Sequence, residues 1–68
     1  MGYGGEVTRE DWAELEVGDR PRDRGGREWT VAGPPYEHGR EVRAVLRDGD
    51  YVLVESDWHA EDYVRVEG

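Results

Sequence analysis

The sequence predicts a mainly β domain: five short strands bent into a small barrel, with a short N-terminal helix and a one-turn 3-10 helix before the last strand. Three observations carry this expectation. The most apolar and β-branched stretch, Glu41–Glu55, reads as two strands flanking Asp48-Gly49, a dipeptide that readily supplies positive φ in a tight turn. Glu28-Trp29-Thr30-Val31-Ala32 alternates apolar and polar residues, the period of a half-buried strand. Tyr63-Val64-Arg65-Val66 repeats that alternation at the end of the chain. Short strands in so small a chain favour a strongly bent sheet, because a flat one leaves its edges open.

Taken in order, Met1–Val7 is rich in glycine, has little to bury and is expected to fray, so the domain is placed at 8–68. Thr8 is a candidate cap for a helix over Arg9–Leu15, with Glu10 and Asp11 in its first turn, where negative charge suits the helix dipole. Trp12 and Leu15 share one face of that helix and must dock, since an isolated helix of this length is unstable. Gly18-Asp19 reads as a bend entering a strand, and Pro21, which lacks an N–H, belongs at a strand end or edge. Arg24-Gly25-Gly26-Arg27 is a turn before the Trp29 strand, which points Trp29 and Val31 inward. Gly33–Arg40 reads as a long polar loop stiffened by Pro34-Pro35.

The central hairpin admits two registers. A two-residue Asp48-Gly49 loop pairs Leu46 with Tyr51 and puts Val42, Ala44, Leu46, Tyr51 and Leu53 on one face. A three-residue loop pairs Leu46 with Val52, buries Val52 and Val54, and places Arg43 opposite Glu55. Turn chemistry favours the first; cross-strand pairing, at about 0.2–1 kcal/mol per good pair, favours the second. After the hairpin, Ser56 or Asp57 can cap a single turn whose buried residue is Trp58, and in the last strand Val64 and Val66 face one way, Tyr63 and Arg65 the other. Trp29 and Trp58 are expected to close the core with Val31, Val54 and Val64.

Three pieces then stand in a suggestive order: Val17-Gly18-Asp19 entering a strand, Arg24-Gly25-Gly26 before Trp29-Thr30-Val31, and a helical turn at Asp57–Asp62 before Tyr63-Val64-Arg65-Val66. Over roughly residues 17–67 this pattern resembles an SH3-like barrel. The Ala-Leu-Tyr-Asp-Tyr opening and the paired tryptophans of signalling SH3 domains are missing, so binding of proline-rich peptides is not implied. The pattern is similar to small barrel proteins of unknown function from actinobacteria and their phages. That resemblance implies a fold and a setting and supplies no activity.

Composition narrows the function. The 68 residues carry a net charge of −8, which favours solubility and argues against general nucleic-acid binding, since phosphate is repelled at long range. All nine basic residues are arginine, and Ile, Phe, Asn and Gln are missing too, a bias that a very GC-rich genome produces. There is no cysteine, so stability must come from the core or from homo-oligomerisation. No apolar run approaches the about 20 residues of a membrane span, and Met1–Glu6 lacks the features of a signal peptide, so the expected location is cytoplasmic.

No nucleophilic triad or phosphate loop has recognisable spacing. With 17 acids, close carboxylate pairs arise by chance, and His38 and His59 sit in separate polar stretches without a converging ligand set. An enzyme, a cofactor and a metal are therefore not expected. A protein-binding module is expected instead. Its candidate contacts are an acidic face of Asp57, Glu61, Asp62 and Glu67, and a loop with Tyr36 and His38. Two alternatives are an inhibitor that mimics DNA through its carboxylates, and direct nucleic-acid contact through Arg20, Arg22, Arg24 and Arg27, the one net basic stretch.

Overall fold

A computed structural model describes residues 5–65. Within them the order is α1 (Arg9–Ala13), β1 (Arg22–Asp23), β2 (Thr30–His38), β3 (Glu41–Asp48), β4 (Tyr51–Ser56), a 3-10 helix (Asp57–Asp62) and β5 (Tyr63–Val64). The five strands form two antiparallel sheets, β1-β5 and β2-β3-β4, and no closed barrel is found among the described residues. The sheets touch through an isolated bridge between Arg22 and Glu28 and through the Trp29 N–H, which donates to the Pro21 carbonyl at 2.8 Å. None of the described helices is long and apolar enough to cross a membrane.

Thr8 caps α1 as expected, its hydroxyl accepting from the Asp11 N–H at 3.1 Å. The helix is shorter than predicted, yet Trp12 and Leu15 are both buried. The Trp12 indole N–H donates to the Val42 carbonyl at 3.0 Å, so its one polar atom is satisfied inside the core. The core unites Val7, Trp12, Leu15, Trp29, Val31, Ala44, Leu46, Ala60 and Tyr63. Val7 corrects the reading of a loose 1–7 segment at its end: it is buried and its N–H donates to the Tyr63 carbonyl, while Glu6 bridges Val64.

Both hairpin registers are overturned. Asp48 pairs with Tyr51 and Leu46 with Leu53, so the two loop residues are Gly49 and Asp50. Gly49 has φ +62° and Asp50 has no positive φ, the sign pattern of a type II′ turn with glycine first. Turn geometry thus placed Gly49 at the first central position, where Asp48-Gly49 had suggested the second. The shift is two residues from the first register, which keeps its faces, and one from the second, which inverts them. Val52 and Val54 therefore lie on the outer face, 50% and 48% exposed.

The expected Gly33–Arg40 loop is also corrected. Residues 33–38 are the last six residues of β2, paired with β3 as far as His38↔Glu41. Two register shifts, Val31 to Gly33 and Gly33 to Tyr36, accommodate the prolines, whose missing N–H groups cannot serve a regular ladder. Trp58 is the third correction: it is 51% exposed, and the small Ala60 is the buried residue of the 3-10 helix. In β5 the buried side chain is Tyr63, with Val64 only partly covered, the reverse of the aliphatic face predicted; Val66 lies outside the described residues.

Candidate functional site

The 3-10 helix brings three of the four predicted acidic-face residues together. Glu61 and Asp62 are exposed on it, while Asp57 is partly buried and its carboxylate accepts from the Val42 N–H at 3.3 Å. Asp57 thus fastens the helix to β3 and does not simply point outward with the others. Asp62 lies 3.7 Å from His59 one turn earlier. Glu67 lies outside the described residues.

Trp58, expected in the core, instead gives this acidic turn a half-exposed indole. Its ring is capped by the Arg9 guanidinium, 4.0 Å from the ring centroid. Beside it, Glu6, Val7, Thr8, Arg9, Asp57, Trp58, Ala60 and Glu61 line a cleft of about 330 Å³ between α1 and the 3-10 helix. A half-exposed indole ringed by carboxylates favours cations, and Arg9 already demonstrates the fit. The signal available in the sequence is Asp57-Trp58-His59-Ala60: so short a helix buries only one side, and Ala60 can be accommodated there at less volume than Trp58.

The predicted loop residues do not line the Trp58 cleft. Tyr36 and His38 are both exposed on β2, opposite Arg43 and Glu41 respectively. They share a strand and do not form a loop tip.

The arginine-rich stretch is engaged internally. Arg20 and Arg22 each lie 3.9 Å from Glu28. Arg24 pairs with Glu6 and donates from Nε and Nη2 to the Glu61 carbonyl at 3.1 and 2.7 Å, tying the N-terminal segment, the turn and the 3-10 helix together. Arg27 lies 3.6 Å from Asp48, with its guanidinium over the rings of Trp29 and Tyr51. These exposed pairs are individually weak, but they distribute the four cations among three acids and a carbonyl.

Among the described residues, Asp23 and Tyr63 carry displaced pKa values. The Trp29 indole N–H holds the Asp23 carboxyl below the usual carboxylate range, aided by the backbone N–H groups of Arg27 and Gly25 and opposed by partial burial. Burial pushes the Tyr63 hydroxyl well above its ordinary value, and the nearby Glu55 charge adds to this. Both groups belong to the packing of the core and do not face the Trp58 cleft. Among the described residues, no three His, Asp or Glu side chains converge as metal ligands would.

No protein-family model matches the chain, and neither a curated protein nor a solved structure matches it significantly.

Proposed function

We propose that this chain is a non-enzymatic binding module, an SH3-like barrel whose 3-10 helix presents an acidic, Trp58-centred face to a basic segment of a partner protein. The observation that carries the proposal is the half-exposed Trp58 with an arginine on its ring and Glu6, Asp57 and Glu61 around it. Tryptophan concentrates binding energy at interfaces, and a cation on its face adds to it. The barrel reading is supported by the continuity of strand neighbours, from β5 through β1 and the Arg22–Glu28 bridge to β2, β3 and β4. A nucleic-acid mimic needs carboxylates in an unbroken stripe, whereas Arg9 and Arg24 interrupt this face.

The test is a titration of the chain with an arginine-rich peptide, followed by calorimetry and, in the parent, by tryptophan fluorescence, with a glutamate-rich peptide as control. Trp12 and Trp29 are buried, so a change on binding reports Trp58. Binding of the arginine-rich peptide alone, weakened in Trp58→Ala, supports the proposal. Equal binding by Trp58→Ala removes it.

A further inference from the structure

We infer that the open edge of β4 is a second docking site, which takes an extended basic segment of another protein as an added strand. This inference does not depend on the Trp58 face. The order β2-β3-β4 gives β4 one neighbour. The far edge of the sheet is partly covered, because Gly18 donates to the Val31 carbonyl and Val31 and Trp29 donate to Asp19 and Pro21. Among the described residues, no backbone hydrogen bond outside the β3 ladder reaches 51–55.

Edge strands are usually guarded by lysine, proline, a bulge or brevity. β4 has six residues, no proline and no cation, and its ladder runs without a shift from Tyr51 to Ser56. A two-residue loop makes Asp48 and Tyr51 a hydrogen-bonded pair. Alternation then turns the N–H and C=O groups of Val52 and Val54 away from β3, toward the open edge. The same two residues hold half-exposed apolar side chains on the outer face, next to Val45. Free backbone groups with apolar side chains between them are what strand addition uses.

Charge selects the occupant. Asp48 and Asp50 stand at the turn end of this edge. At the other end Glu41, Arg43, Val54, Glu55, Ser56 and His59 line a recess of about 360 Å³, in which Arg43 is already paired with Glu41 at 3.4 Å. A second copy laid antiparallel would set the Asp48 and Asp50 end against the Glu55 and Asp57 end, twice by symmetry, and like charges opposite one another are destabilising. A basic segment meets attraction at both ends. The pleat fixes its pattern: apolar residues beside Val52 and Val54, where Arg47 disfavours a cation, and basic residues on the face shared with Tyr51 and Glu55.

The probe is a synthetic peptide of alternating arginine and valine, with alternating glutamate and valine as control. Binding is measured by calorimetry and amide exchange by NMR on the full chain. The arginine peptide is expected to bind and to slow exchange at the Val52 and Val54 amides. Val52→Lys with Val54→Lys should weaken it by about tenfold or more without lowering the melting temperature, and Trp58→Ala should leave edge protection intact. The isosteric Val52→Thr with Val54→Thr reads in the same direction should the charged pair fail to fold. Four results would overturn the inference: no binding, equal binding of the glutamate peptide, affinity unmoved by either double variant, or Val52 and Val54 amides already protected in a concentration-dependent dimer.

Discussion

The indole N–H of Trp29 donates to the carboxylate of Asp23 at 3.1 Å, and the other carboxylate oxygen accepts the Arg27 N–H at 2.9 Å. One side chain thus closes the Asp23–Arg27 turn and orients a buried tryptophan. Because the folded-state pKa of Asp23 is depressed, its contribution to stability is fully present above the unfolded value of about 3.9 and is lost as pH falls through the depressed folded value. Asp23→Asn should therefore melt lower than the parent at neutral pH, with the gap closing in strong acid. Melting curves recorded across the acid range check this, and a gap constant with pH would show that the charge is not what matters.

Tyr63 gives the opposite sign. Its folded pKa is raised, so its share of stability is intact below the ordinary tyrosine value of 10.0 and is lost as pH rises above it. Its hydroxyl donates to Glu55 at 3.1 Å, and its ring lies 5.5 Å from that of Trp12. Tyr63→Phe keeps the ring contact and removes the donor. A loss of about 1 kcal/mol at neutral pH is expected, with the difference shrinking in alkali, measured by denaturant unfolding at several pH values.

The three tryptophans should behave as two classes. Trp12 and Trp29 are buried, and removing a core aromatic side chain costs about 3–5 kcal/mol, comparable with the whole stability of a small domain. Trp12→Ala and Trp29→Ala should be largely unfolded at room temperature by circular dichroism. Trp58→Ala should retain a cooperative melt near the parent, since half of that ring already faces solvent.

That division also shows what was legible in the sequence. The capped helix with Trp12 inward, the Trp29–Val31 strand, the hairpin and the helical turn before β5 all follow from spacing and caps. Which side of a short element is buried does not. Six residues of 3-10 helix are too few to display a clear periodicity, so size alone points Trp58 inward, whereas Ala60 takes that place. In the hairpin, faces depend on register, and register depends on whether Gly49 is the first or second loop residue, a one-position choice that composition leaves open. Pro34-Pro35 reads as a loop because a regular ladder excludes proline, while a strand with two register shifts tolerates it. The acidic face was legible as a charge cluster, but its centre at Trp58 and Arg9 joins residues about fifty positions apart and needed the packing of α1 on the 3-10 helix.

The charge of that face yields the last prediction. Glu61 and Asp62 are exposed, so replacing both by lysine should change the melting temperature little. Asp62 loses only its contact with His59, and the Arg24 bonds to Glu61 end on the backbone carbonyl, which the substitution leaves in place. Binding of an arginine-rich peptide should respond differently. Carboxylates steer a basic ligand at long range, so the parent's association rate should fall as salt rises and screening shortens that reach. Glu61→Lys with Asp62→Lys should bind more slowly at low salt and lose most of that salt dependence, while Trp58→Ala should mainly speed dissociation. Surface plasmon resonance at two ionic strengths, which needs no tryptophan reporter, separates the effects. A folded double variant with the parent's association rate and salt slope would remove the acidic face from recognition and leave the exposed Tyr36 on β2 as the next surface to test.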